Sequence, residues 1–352
     1  MKRATYDCVW YIYNKWSSDA SNIFKRSNPN ARMNDEAYRV LCMLKRVLGS
    51  EAMILNPHCT PSEPETSENQ PVRFLDHGHE HQMEYTPRQR NEQRTILKHG
   101  QRKLLMSEIG LFLRTDPKKS YTAVYAGAAP GIHIPFLSSL FPNICFHLFD
   151  PAKFEIRRNT KIRIHQEFFT DAVAHRYAGR DDVIFISDIR MEVREQSVAK
   201  DMLEQKRWHR IINPEFTSLK FRLPWPGKGE VGPDNIFRYL DGEIVLPIWG
   251  RTSTTECRLE IVKGVHSGDR SYNCLVYERE MSHFNRITRP SVHAQPVRRG
   301  GLDGCFDCAS EIALLMMYAE RIDPAASRQA HIDMAAELSG QITRILRFPS
   351  EH

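Results

Sequence analysis

Residues 122–150 read as a strand, a glycine turn, a helix and a second strand, and few folds accept that order. Thr122-Ala123-Val124-Tyr125-Ala126 is apolar and partly β-branched, which suits a buried strand. It breaks into Gly127-Ala128-Ala129-Pro130-Gly131, where small residues let the backbone pass close to another group. Ile132 to Leu140 has helical spacing of apolar residues and stops at Phe141-Pro142-Asn143. Ile144 to Phe149 is the next apolar run, closed by Asp150. A carboxylate ending the second strand of such a unit stands where α/β sheets hold a nucleoside ribose. The Gly-x-Gly-x-x-Gly fingerprint is absent, which argues against a nicotinamide dinucleotide.

The rest of the chain extends the α/β pattern. Lys161–His165 and Val183–Ser187 read as strands, the second ending in Asp188 at the sheet edge where ligands bind. Asp188 also suits the N-cap of a helix from Glu192 to Trp208, followed by a short apolar run at Arg210–Asn213. Ser218–Arg222 is another strand, and Gly242–Ile248 with Glu256–Val262 an antiparallel pair completing the sheet. Ile96–Leu113 reads as a basic helix whose Lys98, Arg102 and Lys103 form a solvated face. Asn34 to Leu48 is a helix, and Ser50 to His81, rich in Pro, Ser, Thr and Glu, a linker. His77, His79 and His81 alternate there; a solvated loop is favoured over a metal site. Ser310 is the expected N-cap of a helix to Ile322, and a weaker helix spans Gln329–Leu346. The chain thus divides into an extension at 1–81, an α/β domain at 82–325 and a helical tail at 326–352.

Composition sets outer bounds. With 352 residues, 41% of them hydrophobic, the chain can bury a large core. Its 49 Lys plus Arg against 43 Asp plus Glu permit a polyanionic partner. The eight cysteines and the lack of an apolar run in the first ten residues point to reduced thiols and a cytoplasmic setting. The longest apolar stretch near the C-terminus, Ile312–Ala319, is too short to span a bilayer. Cys305-Phe306-Asp307-Cys308 lacks a second pair at zinc spacing, so no metal is expected.

Strand, glycine turn, helix, strand and acid, then a further strand ending in aspartate, is the outline of many S-adenosylmethionine methyltransferases. The expected fold is therefore α/β and Rossmann-like, a mixed central sheet with helices on both faces. Chain order then supplies Lys103, Asp188, Lys220 and Glu256, each at the edge of an expected element. Methyl transfer to a ribose hydroxyl needs the hydroxyl placed in line with the methyl and a base for its proton. A lysine serves if burial or a second lysine disfavours its ammonium form, with carboxylates holding the lysines in place.

Several motifs in order give these residues a family. Gly100-Gln101-Arg102-Lys103-Leu104-Leu105, Tyr125-Ala126-Gly127-Ala128-Ala129-Pro130-Gly131-Ile132-His133 and Ile186-Ser187-Asp188-Ile189-Arg190 resemble motifs of the poxvirus cap-specific mRNA nucleoside-2′-O-methyltransferases. So do Asn213-Pro214 through Ser218-Leu219-Lys220, and Thr255-Glu256-Cys257-Arg258-Leu259. Members of that family double as the stimulatory subunit of the viral poly(A) polymerase. The resemblance covers about residues 83–320 and implies a Lys–Asp–Lys–Glu tetrad at Lys103, Asp188, Lys220 and Glu256. Lys220 is then the central residue, orienting or deprotonating the 2′-hydroxyl. The resemblance also implies S-adenosylmethionine held against Gln101, Tyr125, Gly127, Ala129, Gly131, His133, Asp150 and Asp188. Where the family has Gly-Arg after the aspartate, Pro151-Ala152 stands here, with Lys153 as the nearest substitute cation.

The family holds its cationic 7-methylguanine between aromatic rings, which favours a charged base through cation–π attraction. Tyr85 and Trp225, in Glu84-Tyr85-Thr86-Pro87 and Pro224-Trp225-Pro226, match that pattern, with Arg222 and Glu278 as further RNA or guanine contacts. Ser253 replaces the family's facing tyrosine and Gly227 its acid, which leaves either a one-sided stack with weaker cap affinity or another ring entering the site, with Trp249 a candidate. The implied function is 2′-O-methylation of the first transcribed nucleotide of capped mRNA, in host cytoplasm or virion. The alternatives are a non-catalytic processivity subunit of a viral poly(A) polymerase, or a ribose methyltransferase of non-mRNA substrates. Implied partners are capped mRNA, a poly(A) polymerase catalytic subunit or other capping enzymes, and no membrane.

Overall fold

The computed structural model describes residues 73–86, 99–190, 195–227, 231–251, 253–291 and 305–346. An eight-stranded sheet runs in the order β1-β8-β9-β6-β5-β2-β3-β4. Its centre is β2 (Tyr121–Ala126), flanked in parallel by β3 (Ile144–Phe149) and β5 (Val183–Ser187). Outside these lie β4 (Ile162–His165) beside β3 and β6 (Phe216–Phe221) beside β5, also parallel. The chain winds from β2 outward to β4, then returns across β2 to β5, which leaves a crevice at the carboxyl ends of β2 and β5. Beyond β6 the direction reverses: β9 (Cys257–Val262), β8 (Glu243–Val245) and β1 (Phe74–Leu75) pair antiparallel in turn. That reversal brings the start of β9 to the edge where β6 ends. A separate antiparallel pair joins β7 (Ile236–Leu240) to β10 (Asp269–Asn273).

All of β2 is buried, and its side chains alternate between two helical layers. Val124 and Ala126 pack with Val173 of α3 (Asp171–His175) and with Val198 and Met202 of α4 (Glu195–Ile212). Tyr121, Ala123 and Tyr125 pack on the other face with Leu105 and Ile109 of α1 (His99–Phe112) and Leu137 of α2 (Ile134–Leu140). α5 (Cys274–His283) adds Tyr277 and Met281 to the first layer and continues through a π-helical turn at Phe284–Thr288. α6 (Phe306–Ile322) and α7 (Arg328–Ile345) add Leu314, Leu315, Ala335 and Ile342 to the second. No described helix is long and apolar enough to cross a membrane.

The structure corrects several expectations. Phe74–Leu75 extends the sheet inside the stretch expected as linker, and His77 is buried, bonded at 2.6 Å to Glu280. Arg102 lies on no solvated face: it is 1% exposed and donates twice to Glu311, at 2.7 and 2.6 Å. α6 begins at Phe306 with Cys305 as N-cap, because burial of Phe306 draws the helix start forward; Ser310 is buried within it. α4 runs on to Ile212, absorbing most of the expected Arg210–Asn213 run. α7 is packed against the sheet layer rather than trailing from it. The expected helix at 34–48 and Lys98 lie outside the described residues.

Candidate active site

The turn after β2 is held by its neighbours. Gly127 has φ +79°, and a Cβ there would stand 2.9 Å from the Asp188 carbonyl carbon and the Ile189 nitrogen. Glycine is needed because the β2 turn and the chain leaving β5 press together. Gly127 N donates to the Phe149 carbonyl at 2.8 Å, and Asp188 N to the Ala126 carbonyl at 2.9 Å. Asp150 is half-buried and accepts from Ala129 N (3.1 Å) on one oxygen and from Ala152 N (2.8 Å) on the other. An ionised carboxylate accepts about four hydrogen bonds, so both oxygens retain acceptor capacity toward a ribose diol.

The four residues expected as a tetrad meet at this edge. Lys103 from α1 is paired with Glu256 Oε1. Lys220, one residue from the end of β6, lies 3.5 Å from Glu256 Oε2 and 3.2 Å from Asp188 Oδ1. Arg258 completes the row, donating to Asp188 Oδ1 at 2.6 Å and to the Ser187 carbonyl at 2.9 Å. The order Lys103–Glu256–Lys220–Asp188–Arg258 alternates in sign. Burial pushes the Asp188 carboxyl up, but Arg258 and then Lys220 reverse this and hold it below the usual carboxylate range. Burial likewise raises Glu256, while Lys103, Lys220 and Arg258 bring it far below. Both acids are therefore anionic at neutral pH. β9 places Arg258 opposite Lys220 in register, a like-charge pair made tolerable by the carboxylates between them. Arg258 was not among the residues expected to act, although its position two beyond Glu256 puts both on one side of the strand.

The expected cofactor contacts divide. Gly127, Ala129, Gly131, Asp150 and Asp188 all lie on the turn or the adjoining strand ends. The side chains of Tyr125 and His133 do not line this surface. Both are fully buried: strand alternation points Tyr125 toward α1, and His133 bridges Gln101 Oε1 and Glu108 Oε2 through its two ring nitrogens, at 2.8 Å each. Gln101 itself is only 9% exposed, with its carbonyl engaged by His133. Burial, then Glu108, pushes the Tyr125 phenol well above its ordinary value.

A second cluster stands where β6 ends. The Tyr85 and Trp225 rings lie 4.7 Å apart at 52°, and the Arg222 guanidinium sits 4.9 Å from the Trp225 ring. Tyr85 donates to the Ser253 carbonyl at 3.2 Å, so Ser253 serves through its backbone. The Tyr85 segment is laced to α5 and the turn after it by Met83 N to the Arg279 carbonyl (3.0 Å), Ser282 Oγ to the Glu84 carbonyl (3.0 Å) and Arg286 to Thr86 Oγ1 (2.7 Å). Glu278 is half-buried beside Arg279 and Arg222; burial raises its carboxyl above the ordinary value. Trp249 is not the second ring. It is 3% exposed, donates to Glu311 at 2.6 Å and lies under Arg102, 4.7 Å from the ring. A remote buried acid claims its indole nitrogen; Tyr85 stands beside Trp225 instead.

A mixed sheet wound about β2, with a glycine turn and acids at its carboxyl edge, defines the Rossmann-like methyltransferase class of fold. The profile of the family described as Poly A polymerase regulatory subunit matches residues 67–318, and the chain belongs to that family. It is 27% identical over 236 residues to the cap-specific mRNA (nucleoside-2′-O-)-methyltransferases of Myxoma virus strains Lausanne and Uriarra, spanning 59% of this chain and 67% of theirs. Among solved structures, a probable spermidine synthase from Corynebacterium glutamicum overlaps 35% of this chain and 47% of its own, at 13% identity and a TM-score of 0.28.

Proposed function

We propose that this protein transfers a methyl group from S-adenosylmethionine to the ribose 2′-hydroxyl of the first transcribed nucleotide of capped RNA, acting in the host cytoplasm. The observation that carries the reading is Lys220, held between Asp188 and Glu256 at the sheet edge beside the glycine turn. The turn and Asp150 suit the donor: the tight backbone at Gly127 leaves no side chain in the way, and Asp150 keeps acceptors for ribose hydroxyls. When bound, S-adenosylmethionine supplies an electrophilic methyl on a sulfonium. The chain's own residues then have two tasks. Asp188 and Glu256 hold Lys220 in place, and Lys220 Nζ orients the 2′-hydroxyl and, from its neutral amine form, takes the hydroxyl proton as the oxygen attacks. Lys103 holds Glu256, and Arg258 holds Asp188. Trp225, with Arg222 already at the cation position over its ring, suits a cationic base; Tyr85 lies beside it, and Glu278 lies beside Arg222. A base inserted between the Tyr85 and Trp225 rings needs about 7 Å, so the rings part or hold it from one side.

The family description supports a second reading, an RNA-binding subunit that makes a poly(A) polymerase catalytic subunit processive. One assay separates the two. Labelled S-adenosylmethionine is offered with short RNAs bearing a 7-methylguanosine cap, an unmethylated cap or a bare 5′ end. Label on the first nucleotide's 2′-oxygen only with the methylated cap supports the proposal. Label on all three keeps the methyl transfer and removes cap specificity. No label, with the cofactor bound, favours the processivity subunit.

A further inference from the structure

Some arginines at the described surface are matched to acids, as are Arg114, Arg180, Arg207 and Arg210. The connection from β3 to β4, and β4 itself, depart from this. Lys153, Arg157, Arg158, Lys161 and Arg163 are all exposed, and among the described residues none forms an ion pair. The one acid between residues 151 and 165 is Glu155. Like charges this close repel, and the repulsion is relieved when an anionic chain replaces diffuse counterions. β4 is the outermost strand, and among the described residues no strand covers its far side. It ends at the same edge as the glycine turn, and the loop that follows presents Phe168, 62% exposed. Arg163 and Arg176 both lie close enough to His165 to act on its charge, with Glu167 opposing them.

Edge strands often carry cations that prevent pairing with another sheet, and that accounts for Arg163. It does not account for Arg157 and Arg158, which lie in the connection, or for an exposed phenylalanine. Unpaired cations and an exposed ring on one flank of the sheet are the parts of a platform for single-stranded nucleic acid, where phosphates meet the charges and a base stacks on the ring. We propose that the β4 flank binds single-stranded RNA through Lys153, Arg157, Arg158, Lys161 and Arg163, with Phe168 stacking a base. The flank is separate from the tetrad: β4 and β6 are four strand spacings apart, roughly 19 Å. The inference rests on the methyltransferase reading only for its choice of RNA.

The test uses the full chain and an uncapped single-stranded RNA of about 20 nucleotides, with anisotropy read across a salt series. Arg157→Glu/Arg158→Glu is expected to weaken binding about tenfold or more and to reduce the slope of log affinity against log salt by about 1.4. Phe168→Ala is expected to weaken it about tenfold with the slope unchanged. Both variants should bind S-adenosylmethionine as the native chain does, since neither alters a buried group. Native affinity and slope in both variants would overturn the proposal, even if an acidic protein partner were lost. So would a neutral Phe168→Ala together with inorganic polyphosphate competing as well as RNA, the mark of a plain anion-exchange surface. Capped RNAs identify the strand: a KM raised only for a long capped RNA, not a capped trinucleotide, means the flank holds the body of the methylated strand. KM unchanged for both, with binding of the uncapped RNA still lost, means a separate strand. A native chain that methylates neither refutes methyl transfer to capped RNA and leaves the binding result standing.

Discussion

Replacing Arg258 with methionine tests how the charged row at the sheet edge is held together. Arg258 donates to Asp188 Oδ1 at 2.6 Å and to the Ser187 carbonyl at 2.9 Å, and its side chain is 5% exposed. A hydrogen bond to a charged group contributes about 1.5–3 kcal/mol, and stripping one partner from a buried pair costs about 3–5 kcal/mol. Asp188 keeps Lys220 at 3.2 Å and is 19% exposed, so the loss falls at the low end, about 3 kcal/mol at neutral pH. Methionine replaces most of the arginine stem, which keeps any cavity contribution small. The deficit also has a pH signature. In the native chain Asp188 titrates below its ordinary value, since Arg258 and Lys220 outweigh burial. A depressed carboxyl contributes stability that is full above its unfolded value, about pH 4, and is lost as pH falls through the folded one. Without Arg258, burial lifts the carboxyl again, so the deficit is largest near neutrality and shrinks toward about pH 4 and below. Urea unfolding of native, Arg258→Met, Asp188→Asn and the double variant measures this, with an expected coupling of about 2 kcal/mol. Additive losses, or a deficit constant with pH, would refute an Arg258 role exerted through Asp188.

Four further outcomes are expected. Lys220→Ala abolishes methyl transfer while calorimetry finds cofactor affinity nearly unchanged; retained activity would remove Lys220 from the central role. Trp225→Ala weakens capped RNA much more than uncapped RNA in a filter-binding assay, whereas equal losses would make Trp225 a packing residue. Gly127→Ala destabilises by roughly 3 kcal/mol in thermal unfolding and impairs cofactor binding, because its φ of +79° is strained for alanine and its methyl meets backbone at 2.9 Å. Burial, then Arg210, lowers His209 to about 4, so its neutral form belongs to the folded state. That stability is full above about pH 6.5 and is lost as pH falls toward 4, roughly 2–3 kcal/mol, and His209→Gln should flatten this limb of the pH–stability curve.

What could be read from the sequence is what the chain decides locally. β2, the glycine turn, α2, β3 and β5 come from contiguous runs whose apolar content and punctuation carry the signal, and Ile144–Phe149 emerges with the bounds the sequence suggests. β10 has no such signal: Asp269–Asn273 is polar but for Tyr272, and it is a strand because β7 offers a partner and Tyr272 donates to the Leu240 carbonyl at 2.8 Å. α5 went unread for a related reason: its buried side combines Cys274, Tyr277 and Met281 with the polar Glu280 and Ser282, which breaks the apolar stripe. Arg102 and Trp249 show the same limit for charge and aromaticity. Taken alone, an arginine on a basic helix looks solvated and a tryptophan near a binding motif looks like a ring for a ligand. Glu311, 209 residues beyond Arg102, buries the first and claims the second. The tetrad was legible as types and order through resemblance, but the fifth member of its row was not, because Arg258 acquires meaning only from the register that sets it opposite Lys220 and beside Asp188. Tyr85 makes the point in reverse. Ser253 seemed to leave Trp225 without a companion, yet an early segment laced along α5 carries a ring to that place and bonds the Ser253 carbonyl there. That contact joins positions 168 residues apart, and only the fold reveals it.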